Sequence, residues 1–166
     1  MAATTTLLAT TNTNHGPSYG RTSRVRPYLV EQTINFADQN IDANGSTIEC
    51  CAIPADHLIM YADVEVETAL TNTASDATID MGLSGGDADY WVDGFDIDGA
   101  SAGAYAGVDT ATAGVPLLVT ADGSLKLTFA GTAGTISAGV IRVFAVCMPI
   151  EGGLLKAVDV DRDALA

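Results

Sequence analysis

Basic residues are what this chain of 166 residues has least of. Seven Lys and Arg stand against 21 Asp and Glu, a formal net charge of -14 at pH 7, and none of the seven lies between Glu31 and Leu125. A body of that sign repels nucleic acid phosphates and anionic membrane, which disfavours direct binding to either. No apolar run approaches the roughly 18 residues of a membrane-spanning helix. The start, MAATTTLLATTNTNHG, has no basic n-region and only two leucines, so no secretory signal is expected and the chain is read as made and used without secretion.

Chemistry-bearing motifs are equally scarce. No phosphate-binding loop, nucleotide fingerprint or serine elbow occurs. His15 and His57 are isolated, so no zinc site is assigned to them. The three cysteines, Cys50, Cys51 and Cys147, are an odd number and read as small buried hydrophobes rather than a disulfide framework. Neighbours on a strand face opposite ways, so Cys50 and Cys51 are not expected in the same core. A cysteine nucleophile with His57 as base has the local spacing but no nameable orienting group. The expectation is a non-enzyme without a cofactor.

What is present is strand patterning. Hydrophobic residues make up 48% of the chain and charged residues 17%, enough to bury one core. In 57–70, HLIMYADVEVETAL, Leu58, Met60, Ala62, Val64 and Val66 alternate with Asp63, Glu65 and Glu67, which predicts a long strand with one apolar and one acidic, solvated face. Strand openings at Tyr28, Thr47, His57, Thr78, Tyr90, Leu117, Leu125 and Ile136 suggest about eight strands. Asp122-Gly123 between 117–120 and 125–129 predicts a tight hairpin. In 136–150 both faces are apolar apart from Arg142, so that strand must be covered twice, as a central strand with one face at a subunit interface would be. Only a weak edge strand is expected near Tyr105. The fold class is all-β: an antiparallel β-sandwich, jelly-roll-like, with an extended N-terminal arm. The expected divisions are a basic arm over 1–27, the sandwich over 28–151 and a short acidic tail over 152–166.

Charge divides the same way. Residues 1–30 carry Arg21, Arg24 and Arg26 and no acid, while 31–166 carry 21 acids and four bases, Lys126, Arg142, Lys156 and Arg162, giving +3 and -17. With Tyr19 and Tyr28 as aromatic anchors, the arm residues Arg21, Arg24 and Arg26 are candidate partner contacts. In 84–99, SGGDADYWVDGFDIDG, Asp87, Asp89, Asp93, Asp96 and Asp98 are candidate calcium ligands, although the spacing is not that of an EF-hand and the closing Glu is missing. Tyr90 and Trp91 in the same stretch are the candidate platform for a glycan; the alternative is a core anchor. Asp159, Asp161 and Asp163 alternate similarly without the glycines.

Over 28–150 the texture and order of IPADHLIMYADVEVETAL, TIDMGLSGGDADYWVDGFDIDG and DGSLKLTFAGTAGTISAGVIRVFAVCMPI resemble the head decoration and auxiliary structural proteins of tailed bacteriophages. That resemblance implies a small β-rich protein on the outer capsid surface, often a homotrimer, made in the host cytoplasm. It would cement neighbouring capsomers of the major capsid protein without catalysis. It transfers no binding residue, since no defining motif is present to carry one. The alternative is a tail- or fibre-associated module, or a capsid spike, that binds host-surface glycan.

Overall fold

Nearly every stretch in which apolar and polar residues alternate has become a strand. The computed structural model describes residues 4–5, 27–38, 41–74, 76–107, 116–132 and 134–150. Tyr19, Arg21, Arg24, Arg26 and the tail 152–166 lie outside the described residues. In chain order the strands are β1 (Thr4–Thr5), β2 (Tyr28–Asn35), β3 (Ile41–Asp42), β4 (Thr47–Ile53), β5 (His57–Asn72), β6 (Thr78–Leu83), β7 (Val92–Asp96), β8 (Leu117–Val119), β9 (Gly123–Ala130) and β10 (Thr135–Pro149). A single 3-10 turn, Phe36–Asp38, follows β2.

The strands form two sheets, one in the order β1-β4-β9-β6-β7 and the other β2-β10-β5-β8, with β3 also paired to β10. Pairing is antiparallel throughout, except that β1 runs parallel to β4. The expected antiparallel sandwich is therefore what forms; among the described residues, β1 and β3, two residues each, bring the strands to ten. The pairs β2·β10, β4·β9, β5·β8 and β6·β7 nest one inside the next. The chain is thus a long antiparallel ribbon doubled back between β6 and β7. Rolling that ribbon brings β10 beside β5 and β9 beside β6 as well.

The core lies between the sheets. Ile34, Ile59, Val64, Val66, Ile141, Val143 and Ala145 from one sheet meet Ile48, Ile53, Ile79, Met81, Leu125, Leu127 and Phe129 from the other, all buried. Phe36, at the turn after β2, packs edge-on against Phe129 with ring centroids 5.9 Å apart. Alternation is clean along β10, whose odd-numbered residues from Ile141 to Pro149 are buried while Val140, Arg142, Phe144, Val146 and Met148 are half-buried on the other face.

Two bulges and a corner revise three sequence expectations. Cys147 pairs with Ile59 and Val146 with Tyr61, leaving Met60 as an extra residue on β5. The parity of β5 therefore flips: Ile59 joins Ala62, Val64 and Val66 in the core, while Met60 is 43% exposed. On β4, Glu49 pairs with Lys126 but Ala52 with Ser124, so one residue is again inserted. That insertion lets Cys50 and Cys51 both be buried, contrary to simple alternation. Finally, Asp122-Gly123 does not close a hairpin. β8 pairs with β5 in one sheet and β9 with β4 and β6 in the other, so 120–122 is a corner that changes sheets. The Asp122 carboxylate accepts the Ala55 N–H at 2.9 Å, tying this corner to the one that precedes β5.

Since Phe129 is fully buried and stacked on Phe36, Phe129→Ala is expected to cost about 3–5 kcal/mol. Urea unfolding should show this as a lower midpoint with an unchanged slope.

Candidate interaction face

The site emerges from the strand order. β10 is the inner strand of its sheet, with β2 on one side and β5 on the other. Register sets Val146 between Leu29 and Tyr61, Phe144 between Glu31 and Asp63, and Arg142 between Thr33 and Glu65. On the side away from the core this gives an apolar end and a charged middle. Leu29, Tyr61 and Tyr105 are 48%, 38% and 51% exposed, and together with Met60 they are the exposed large hydrophobics among the described residues. Half-buried Phe144, Val146 and Met148 fill the space between them. Tyr61 and Tyr105 both lie against Phe144, at centroid distances of 6.0 and 6.5 Å.

The charged middle is organised by Arg142. Its Nε donates to Glu65 Oε2 at 2.9 Å, and its Nη2 reaches the same oxygen. Its Nη1 donates to Glu31 Oε2 at 3.2 Å, with Glu67 3.8 Å from Nε. The guanidinium also stands 5.3 Å from the Phe144 ring centroid, a cation–π contact. The hydrogen bond from Arg142 holds the Glu65 carboxyl below its ordinary range. Asp63, expected on the solvated face, is instead 1% exposed. Its carboxylate accepts from Tyr61 Oη at 2.5 Å, Val64 N at 2.7 Å and Gly107 N at 3.1 Å. Burial, then the bond to Asp63, pushes the Tyr61 phenol up to about 12. The Gly107 contact also anchors the 103–107 segment, which bridges to Glu65 at Tyr105 and lies along β5 beyond β8.

The sequence-derived candidates fare unevenly. Tyr28, the described member of the arm set, is half-buried and meets His57 edge-on at 5.8 Å. Trp91 is fully buried in the core, so its ring offers no face to a sugar. The adjacent Tyr90 is half-buried and lines a cleft of about 400 Å³ between the 83–90 loop and the 117–123 corner, together with Asp87 and Asp122. The loop is folded tightly there: a Cβ on Gly82 would lie 1.8 Å from the Asp87 carbonyl oxygen.

The aspartates do not converge. Asp96 accepts the Asp98 N–H at 2.9 Å, and Asp98 accepts the Ala77 N–H at 3.0 Å. Asp80, which the sequence did not single out, accepts the Gly94 N–H at 2.8 Å and is raised by burial, with Asp93 and Asp89 adding to the effect. Among the described residues no three His, Cys, Asp or Glu side chains are grouped as metal ligands. The outward face itself was partly legible in the doubly apolar 136–150. Its members on β2 and β5 required the register.

Two measurements follow from these environments. A depressed carboxyl contributes stability above its ordinary value of 4.5 and loses it as pH falls through its lowered folded value. Glu65→Gln should therefore lower the melting temperature at pH 7, and the gap to the parent should close below pH 4.5. Burial raises Cys51 to about 11 and Cys147 to about 12, and raises Cys50 as well, the reverse of what a nucleophile needs. A colorimetric thiol reagent at pH 8 should label none of the three in the native protein and all of them in urea.

No protein-family model matches the chain, and no curated protein matches it in sequence. The fold is similar to that of a chain in the cyanophage Pam1 capsid asymmetric unit, with a TM-score of 0.57 and 17% identity. The match covers 81% of this chain and 99% of that one.

Proposed function

We propose that this chain is a non-enzymatic virion structural protein that binds the outer surface of a phage capsid and stabilises contacts between capsomers. Its partner is the major capsid protein and its working form a homotrimer, made in the host cytoplasm. The observation that carries this reading is the outward face of β2, β10 and β5, where Leu29, Tyr61, Phe144, Val146 and Tyr105 present apolar surface on an otherwise strongly acidic molecule. Contiguous apolar surface of that kind marks association with protein. The acidic body would be repelled by packaged DNA, which favours the outside of a shell.

Two further observations support the reading. The nested order, β2-β10-β5-β8 facing β4-β9-β6-β7, is the one we read as a jelly roll. The fold match extends over 99% of a chain from a phage capsid's asymmetric unit, so a sandwich of this size stands there as a chain of its own. Tyr19, Arg21, Arg24, Arg26 and Tyr28 are the proposed contact residues of the arm. Several arms presented by one oligomer add weak contacts through effective concentration. A second reading, a spike or fibre module that binds host glycan, has the Tyr90 cleft in its favour, with Asp87 and Asp122 as hydroxyl acceptors; Trp91 has no part in it.

Removing residues 1–26 should leave the circular dichroism spectrum and melting transition of the sandwich in place while abolishing occupancy on undecorated capsids, measured by co-sedimentation. Full occupancy by the shortened chain would remove the arm from the proposal. Density for the protein at the tail rather than on the shell would overturn the decoration reading.

A further inference from the structure

The outward face of β2, β10 and β5 is apolar at one end, and the chain enters β2 and leaves β10 at that end. Tyr28 pairs with Cys147, and Pro149 with His57, so Pro27 and Ile150 lie beside Leu29, Val146, Met148 and Leu58. Further along, the face turns acidic: Glu31 and Glu67 are exposed, Glu65 is half-buried, and Arg142 is the basic residue among them. Three carboxylates against one guanidinium leave the face two charges negative. The segment that precedes Pro27 has the complementary composition. Tyr19, Arg21, Arg24 and Arg26 fall within eight residues, and no acid occurs before Glu31.

We propose that the chain's own residues 19–26 dock on this face in the same molecule, with Tyr19 against the apolar end and the arginines over Glu31, Glu65 and Glu67. Reach permits it. Thr33, level with Arg142 and Glu65, is five residues along β2 from Tyr28, and at about 3.3 Å per residue and about 4.8 Å per strand the Glu65 carboxylate lies roughly 19 Å from Tyr28. The four residues from Arg24 to Tyr28 extend to about 13 Å and the arginine side chain spans the rest, while the five residues from Arg24 to Tyr19 extend to about 17 Å, enough to return to the apolar end. Pro27 sets a restricted φ at the point where the chain must turn back. A tether this short holds the segment at millimolar effective concentration, so contacts too weak to join two molecules suffice within one.

A second copy is the poorer occupant. It would bring another acidic face against this one. The arm neutralises the face it covers. The inference shares with the proposed function the premise that the arm is a contact element, but it concerns the isolated protein and needs no capsid.

The test replaces Tyr19 with benzoylphenylalanine in the full chain, irradiates the dilute protein and maps the crosslinks by mass spectrometry. Crosslinks within one chain to peptides holding Leu29, Met60 or Met148 are expected. Their yield should fall roughly fivefold as salt rises from about 0.02 M to about 0.5 M, where the screening length shrinks from roughly 20 Å to roughly 4 Å. Arg21→Gln, Arg24→Gln and Arg26→Gln together should remove that salt dependence. Leu29→Asn with Met60→Asn, at exposed positions that the fold tolerates, should reduce the yield without changing the melting temperature.

Crosslinks joining two chains, crosslinks to the β4-β9-β6 sheet, or a yield equal to that of a chain with 19–26 scrambled would each overturn the inference. Loss of capsid binding on deleting 1–26 together with no crosslink to this face would overturn it while leaving the proposed function standing. A face crosslink in a protein that never binds capsids would do the opposite.

Discussion

The pairing of β10 with β2 on one side and β5 on the other is the constraint on which the rest depends. β10 runs for 15 residues and is apolar on both faces for most of them. A strand of that kind cannot sit at an edge with one face in water without a large unfavourable exposure of apolar area. Placing it inside the sheet satisfies its hydrogen bonds, and the second sheet covers Ile141, Val143, Ala145 and Cys147. Among the described residues no second layer of strands covers the opposite row, although Tyr61 and Tyr105 lie against Phe144. Phe144, Val146 and Met148 therefore share an outward surface with Leu29, Met60 and Tyr61.

Electrostatics on that surface follows from scarcity. In a body with so few bases, Arg142 is, among the described residues, the one guanidinium near three glutamates, and it is drawn to Glu65 while keeping contact with Glu31 and Glu67. Phe144 beneath it supplies the face of a ring. Asp63, two residues from Glu65, is treated differently: it is buried and satisfied by three donors. One acid of the same strand thus fixes the 103–107 segment, while another fixes the arginine.

The class of fold was legible because period-2 alternation is a local property that burial on one side imposes directly. The strand starts at Tyr28, Thr47, His57, Thr78 and Leu117 were readable for that reason. The arm's residues, Tyr19 and the three arginines, were nameable from composition but lie outside the described residues. Trp91 and Tyr90 are adjacent in sequence and alike in chemistry, yet one is fully buried and the other lines a cleft. Nothing in the local pattern distinguishes them, because the distinction is made by where β7 begins.

By itself, then, the sequence determined that the chain is all-β, acidic and free of recognisable catalytic motifs, and that its last strand is central. The tertiary structure alone decided which residues share a face. An extra residue at Met60 and another in the Glu49–Ala52 interval reverse strand parity, and an inserted residue is defined only against the partner strand it fails to match. The same holds for Asp122-Gly123, whose local turn chemistry suits a hairpin. The partners that claim β8 and β9 lie in opposite sheets, so that chemistry serves a corner instead. Pairing between segments distant in sequence carries more hydrogen bonds and buried area than a short turn does, and it overrides the turn's preference.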